Sequence, residues 1–512
     1  MVFCQQSFVI SDFVNSTVES NPLKTEQDNP LPIKSAALGA RTAHGAFWTI
    51  LFSMLNKVVA FGSQIALAWF LLPADFGLVG MAFSITSMAA LISGMNLKVV
   101  LVQRQDRFEQ DVGQVFWLSL VMGLTGTVLL AVAAPVAGIM FKDHRVVPLI
   151  LVVAISNFLG SAPAIYAAAL SRDLRFRTVA IIQFGIGMIN GLGAVLLAAL
   201  HFGPYSLVVP VTISSFYALV AHRIAVGRIQ IPRPKPSEWP ALLKPAALLM
   251  CYSLLVAILS YGANFVIGIL HNSTVAGFYF WGFSMASQAV FLLAANLKDV
   301  LFSTLAKLNL EPIRQYEAFR KACVVLLVVT VPVCVLQILL AEPVIRLVFH
   351  ERWLPAAGVV QGLSFGLMTQ AISILAMSLL LARGEYGRLC QITGISALLT
   401  ILATVVGAML GEQKAVAYAV GIAGLISNLI AGRFALNSLS CAWRKLAGVI
   451  AIPVGMAIPI LALGGYLNRL LAPVGVLPRT AIVGFCSLLL YAVAAYLLVP
   501  DIRDLVKPKW AG

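Results

Sequence analysis

Lys57 stands near the middle of a long apolar stretch, 45–71, where a charged side chain is out of place. Lysine at mid-bilayer costs about 2.5 to 3.5 kcal/mol on insertion scales, so it calls for a wet cavity or a partner group. At helical spacing Lys57 shares a stripe with Ser53, Asn56, Ser63 and Gln64. None of the 20 acidic residues falls inside a predicted span; Asp75, Asp299 and Glu342 come closest. One cation with no carboxylate to neutralise it favours an anionic ligand. The competing reading is that Lys57 snorkels, or bonds backbone carbonyls at a packing defect. The missing intramembrane acid also argues against a proton or cation relay, and so against export of cationic drugs.

A second group of cations lies outside the apolar stretches. Arg172, Arg175 and Arg177 in SRDLRFR, with Arg41, Lys98 and Lys298, are expected at one membrane mouth. Most of that charge serves as orientation signal and headgroup contact. Collection of a phosphorylated ligand is the alternative, because guanidinium forks match phosphate oxygens. The candidate binding set is therefore Lys57, Asn56, Ser53, Gln64, Asn264, Arg41, Arg172, Lys98 and Lys298. No metal site is expected: the seven cysteines carry no CxxC pair and no His at ligand spacing. No GxxxxGK[ST] loop or other glycine-rich phosphate cradle is present, so no nucleotide cofactor and no ATP hydrolysis are expected.

The elements that must carry these residues follow from composition. Hydrophobic residues make up 60% of the 512, charged residues only 11%, and mean hydropathy is +0.94. A soluble domain holds about 25% charged residues, so a water-soluble fold is excluded. Spans are predicted near 45–71, 77–97, 115–140, 147–170, 179–200, 204–222, 246–270, 275–296, 321–341, 356–382, 389–410, 415–432, 446–467 and 479–499. They lack the alternation of a barrel, and open strands fail in lipid, so all are read as helices. The fold class is all-α, a polytopic membrane protein of about fourteen transmembrane helices.

The net charge of +15 would suggest nucleic acid in a soluble protein, but here Lys and Arg sit in short loops. With the N-terminus inside, the outer loops receive only Lys142, Arg145, Arg346, Arg352, Lys414, Arg469 and Arg479 of the 35 basic residues. That bias supports an even span count with both termini cytoplasmic, and leaves no nucleic-acid partner. Loops this short also leave no room for a catalytic domain, so no enzyme is expected.

Sliding the chain by 200 residues aligns the first two spans with the seventh and eighth. Gly77/Gly277, Phe83/Phe283, Ser84/Ser284, Ser87/Ser287 and the run Asn96-Leu97-Lys98 against Asn296-Leu297-Lys298 carry the match. Pro135-Val136 and Pro343-Val344 repeat at a shift of 208. The same register gives the seventh span its own stripe, Ser253, Ser260 and Asn264. Six spans is an even number, so the halves enter the membrane in the same sense, the plan from which alternating-access transporters are built. The expected division is a disordered cytoplasmic tail 1–44, a six-helix bundle 45–226, a proline-stiffened linker 227–245, a second bundle 246–440, two further spans 441–500 and a short end 501–512. GxxxG at Gly187–Gly191 and Gly362–Gly366 signals close helix packing.

Phe47-Trp48, LLPADFGLVGMA (71–82), LVQRQD (101–106), VFWLSL (115–120) and LSRDLRFRTVA (170–180) resemble the polysaccharide transporter family, which includes exporters of colanic acid and succinoglycan repeat units. Its superfamily also holds multidrug exporters and peptidoglycan-precursor flippases, and the resemblance implies two six-helix bundles in a V around a central cavity. It implies a substrate too: an undecaprenyl-pyrophosphate-linked oligosaccharide, flipped to the outer leaflet of a bacterial cytoplasmic membrane. A polysaccharide polymerase and a chain-length regulator join that lipid-linked substrate and membrane lipids as candidate partners. The precursor flippases carry a basic residue in the first helix, in a pattern similar to Asn56-Lys57-Val58-Val59-Ala60-Phe61. No residue matches a coupling site, so the energy source stays open. The rival readings are an ion-coupled small-molecule exporter of the same fold and a membrane scaffold subunit without transport of its own.

Overall fold

The computed structural model describes residues 33–90, 108–173, 175–227, 233–308, 311–439, 443–471 and 473–499. Sixteen α-helices and no strand occur among them. In chain order they are α1 (Ile33–Phe70), α2 (Pro73–Ala90), α3 (Phe108–Met140), α4 (Val146–Ser161), α5 (Pro163–Arg172), α6 (Phe176–Ala199), α7 (Tyr205–Val226) and α8 (Trp239–Leu270). Then follow α9 (Ser273–Lys307), α10 (Pro312–Val348), α11 (Pro355–Leu367), α12 (Gln370–Ala382), α13 (Tyr386–Leu410), α14 (Gln413–Ser438), α15 (Trp443–Leu470) and α16 (Val476–Leu498).

Helices prevail because lipid offers the backbone no hydrogen bonds; each segment must satisfy its own N–H and C=O groups. Prolines that would break soluble helices sit inside several of these: Pro135 in α3, Pro210 in α7, Pro332 and Pro343 in α10, Pro453 and Pro459 in α15. The 37 residues of α10 reach about 55 Å, well beyond a hydrocarbon core of about 30 Å. Its overhanging ends hold its charges, including the Glu342–Arg346 pair at 2.9 Å. Large apolar side chains such as Val132, Ile139, Met409 and Leu410 are exposed, the reverse of a soluble surface and the expected state of a lipid-facing one.

Eleven helices are long and apolar enough to span, or twelve if α11 and α12, bent by 47°, are one crossing. The expected fourteen are not reached among the described residues. The other two expected spans, 77–97 and 275–296, fall on α2 and α9. The helix α1 begins at Ile33, inside the stretch 1–44 read as tail; residues 1–32 lie outside the described residues.

Contacts divide the chain into two compact units, 1–261 and 262–512, with the division inside α8. In unit 1, α6 packs on α7, α7 on α4, α4 on α3 and α2, and α5 on α7. In unit 2, α13 packs on α14, α14 on α11, α11 on α10 and α9, and α12 on α14. The same order of neighbours recurs helix for helix, so the repeat read from the sequence extends to packing. The copies also differ: α1 lies along α6 in unit 1, and α9 packs on α12 and α14 in unit 2, without comparable pairs in the other unit.

Unit 2 contains an extended apolar core in which Phe319, Leu327, Cys334, Leu379 and Leu436 are fully buried. Ile450, Met456 and Ile460 of α15 and Val483 and Tyr491 of α16 join it, so the last two helices are built into that unit against α10. Cys323 and Cys334 are free thiols buried in this core, as small apolar residues would be. In unit 1 the end of the linker is held to α3. Gln114 Nε2 donates to Arg233 O at 3.0 Å, and Lys235 N donates to Gln114 Oε1 at 2.7 Å. Beside this clamp Leu242 packs on Val112, Val115 and Ile165.

Candidate functional site

The polar face of α1 sorts into two directions. Asn56 and Ser63 turn toward α6, where Gly187 and Gly191 clear the space. A Cβ on Gly191 would stand 2.7 Å from Ser63 Oγ and 2.8 Å from Val59 Cγ1, and one on Gly187 would collide with the Asn56 amide. Asn56 Nδ2 donates to Gln183 O at 3.1 Å, while Asn56 Oδ1 and Ser63 Oγ are buried with no hydrogen-bond partner in the protein. Lys57, one step of about 100° further round the helix, is half-buried on the flank of this seam, as is Ser53. Gln64 is buried one residue beyond Ser63.

In α8 the corresponding residues differ in state. Ser260 Oγ donates to Val256 O at 2.8 Å, satisfying itself within its own helix. Asn264, assigned to unit 2, is only 1% exposed, and its Oδ1 has no hydrogen-bond partner in the protein. A buried amide oxygen left unpaired costs about 1 to 3 kcal/mol, so each such acceptor marks a place where a donor would be welcome.

The basic cluster is only partly described. Arg41 lies near the start of α1, Arg172 at the end of α5 and Lys298 late in α9, their side chains outside the description; Lys98 lies outside the described residues altogether. Arg175 Nη1 donates to Ala225 O at 2.7 Å, and Arg223 Nη1 donates to Gly227 O, so two guanidiniums cap the last carbonyls of α7. Arg177 sits 4.8 Å from the centre of the Trp48 ring, and Trp48 stacks on Phe52, fastening α6 to α1.

The second unit carries the same loop in another electrostatic state. LSRDLRFR (170–177) aligns with LARGEYGR (381–388), pairing Arg172 with Arg383 and Arg177 with Arg388 and setting Glu385 opposite Leu174. Glu385 accepts from Arg383 Nε at 3.0 Å, Arg388 Nη1 at 2.5 Å and Ser438 Oγ at 2.5 Å. Arg383 Nη1 also donates to Gln315 Oε1 at 3.1 Å, and Gln315 Nε2 donates to Leu305 O at 2.8 Å. Burial pushes the Glu385 carboxyl upward, but the Ser438 hydroxyl, the Arg383 fork and the charge of Arg388 outweigh it and hold it below the usual range. The loop of unit 2 thus has both arginines tied to Glu385 and a net charge of +1, whereas that of unit 1, with Arg172, Asp173, Arg175 and Arg177, carries +2.

Sequence reasoning did not single out Thr369 and Asn428. Asn428 Nδ2 donates to Gly366 O at 3.0 Å and to Thr369 Oγ1 at 3.1 Å, across the break between α11 and α12. A lone amide inside an apolar span was the available signal. No cluster of three or more His, Cys, Asp or Glu able to hold a metal occurs among the described residues.

Two halves with one packing order, a lipid-facing exterior and buried polar acceptors on helices of both units define a multi-pass helical membrane protein of duplicated design. Its fold is similar to that of the solved structure "Lipid II flippase MurJ, inward closed conformation", with a TM-score of 0.72 and 15% identity over 90% of this chain and 99% of that one. Residues 66–358 match the family described as polysaccharide biosynthesis protein, and the chain belongs to that family of membrane transporters. Among its relatives are the succinoglycan biosynthesis transport protein ExoT of Rhizobium meliloti (strain 1021) and the lipopolysaccharide biosynthesis protein WzxC of Escherichia coli (strain K12). The first is 25% identical over 62% of this chain and 66% of its own length; the second is 20% identical over 83% and 87%.

Proposed function

We propose that the protein moves lipid-linked oligosaccharide repeat units, carried on an undecaprenyl-pyrophosphate, from the cytoplasmic to the outer leaflet of a bacterial inner membrane. The observation that carries this reading is family membership, joined to the likeness to ExoT, a succinoglycan biosynthesis transport protein. The role of each residue follows from charge and depth. Arg172 and the neighbouring cations of unit 1 meet the pyrophosphate first, since both arginines of the matching loop of unit 2 are engaged by Glu385. Lys57 then offers a cation on α1, and the unpaired oxygens of Asn56 and Ser63 on the same helix accept sugar hydroxyls. The lipid tail stays in the bilayer, where a matching apolar phase costs it nothing. No bond is made or broken, so the protein acts without catalysis.

The test is surface polysaccharide in cells that depend on this chain. Lys57→Arg retains the polymer and Lys57→Ala loses most of it at equal expression; undiminished polymer from Lys57→Ala would remove Lys57 from the site. Purified protein in vesicles that moves a labelled lipid-linked oligosaccharide would exclude the scaffold reading. Efflux of a drug without such movement would favour the small-molecule exporter.

A further inference from the structure

The crossing formed by α11 and α12 bends by 47° with no proline at the break. Interrupting a helix in the membrane frees backbone groups that lipid cannot satisfy, so something must hold the break. Here the carbonyl of Gly366 accepts from Asn428 Nδ2 at 3.0 Å, from Thr369 Oγ1 at 3.2 Å and from Thr369 N at 3.3 Å. Asn428 and Thr369 are both buried, at 3% and 1% exposure, so these bonds are shielded from water. The supporting contact is backbone on backbone. A Cβ on Gly362 would lie 2.7 Å from Tyr418 N, and one on Gly366 would lie 2.6 Å from Gly421 O. The half-helix α11 is thereby pinned to α14, and Asn428, two turns beyond Gly421, is brought to the break.

The fourth crossing of unit 1, α4 with α5, has no such bend. Ala162 between the two pieces keeps helical dihedrals, φ −76° and ψ −38°, and Pro163 opens the second piece, where its missing N–H costs one helical bond while Val146–Leu170 still forms one span. An interrupted helix in a transporter marks where backbone is free to move or to bind. The bend of unit 2 is held by hydrogen bonds that can be exchanged.

We infer that the break at Met368–Thr369 is a switchable hinge, that α12 swings against α11 about it in the transport cycle, and that Asn428 is the positioning residue holding the bent state. The proposal needs the chain to be a transporter and does not depend on the identity of its substrate.

The experiment uses the full chain in lipid nanodiscs, comparing hydrogen exchange over 363–376 in wild type, Asn428→Ala and Gln370→Pro. Asn428→Ala removes the clamp and raises exchange there about tenfold, with 413–424 unchanged. Gln370→Pro places proline at the first residue of α12, as Pro163 stands in α5, and lowers exchange. In cells whose surface polysaccharide depends on this chain, Gln370→Pro at normal expression and thermal stability abolishes output, and Asn428→Gln restores more of it than Asn428→Ala. Unchanged exchange in Asn428→Ala, or wild-type output from Gln370→Pro, overturns the hinge. Should Gln370→Pro not accumulate, the exchange of Asn428→Ala decides alone. Should wild type itself support no polysaccharide phenotype, the proposed substrate fails and the exchange comparison still judges the hinge.

Discussion

Replacing Asn56 by leucine separates packing from function on the α1 face. The substitution removes one hydrogen bond, from Nδ2 to Gln183 O at 3.1 Å, worth about 0.5 to 1.5 kcal/mol net. Gln183 O lies within α6, whose own helical bonding continues through it, so that carbonyl is not orphaned. The substitution also removes Asn56 Oδ1, a buried acceptor without a partner in the protein, whose desolvation costs about 1 to 3 kcal/mol. Leucine is close to asparagine in length and branches at the same atom, so it takes the room that the amide now fills against Gly187. The two terms oppose each other, and stability should stay level or rise by about 1 kcal/mol. Thermal unfolding of purified protein in detergent measures this, and surface polysaccharide from the same variant measures output. Preserved stability with lost polymer assigns the amide oxygen to the substrate; preserved stability with full polymer makes Asn56 a packing residue only. A loss of more than about 2 kcal/mol would refute the reasoning, because it would mean that Oδ1 is well paired in the folded protein.

Two further outcomes follow from distances and charge. Glycine at 191 is required by the α1–α6 seam, so Gly191→Leu should cost about 1 to 3 kcal/mol by overpacking. Gly193→Ala, whose Cβ would meet Pro210 at an ordinary 3.6 Å, should unfold at the wild-type temperature, and equal melting of both variants would remove the seam. Glu385 is held below its ordinary pKa of 4.5, so the unfolded chain takes up its proton first as pH falls. Its contribution is therefore complete above that value and lost on acidification through the lower folded one. Acid unfolding of Glu385→Gln should lack this component, and an identical acid limb in both proteins would discount the network.

What could be read in advance follows from which forces are local. Spans are legible because about twenty apolar residues in a row have one use, and the duplication is legible because runs such as Asn96-Leu97-Lys98 return intact at 296–298. The stripe on α1 was legible as a stripe, but periodicity gives angles about one axis and does not say which neighbour occupies each angle. Asn56 and Lys57 differ by one residue, yet one meets α6 and the other lies on the flank. The glycines at 187 and 191 announced a close approach without naming Asn56 and Ser63 as what approaches. The break in the tenth crossing was illegible because no proline or charge marks it; its cause, Asn428, lies about 60 residues downstream and acts only through tertiary packing.

Duplication copied the packing order more faithfully than the chemistry, and that difference bears on direction. Two loops with aligned arginines would attract an anion equally if both were left charged. Inserting Glu385 where unit 1 has Leu174 spends the arginines of unit 2 on α12, α14 and α10, through Ser438 and Gln315. The fourth crossings diverge too, that of unit 1 running on through Pro163 and that of unit 2 bent by 47° and held by the Asn428 amide. Unit 1 therefore combines a loop of larger positive charge with a continuous fourth crossing, and unit 2 a loop whose arginines are paired with a bent crossing held by exchangeable bonds. The proposed capture of an anionic ligand by the first half and the proposed hinge in the second draw on these two asymmetries together. Removing either alone, by Glu385→Leu or by Gln370→Pro, should impair different steps: the first competes for ligand without halting movement, and the second halts movement without weakening capture.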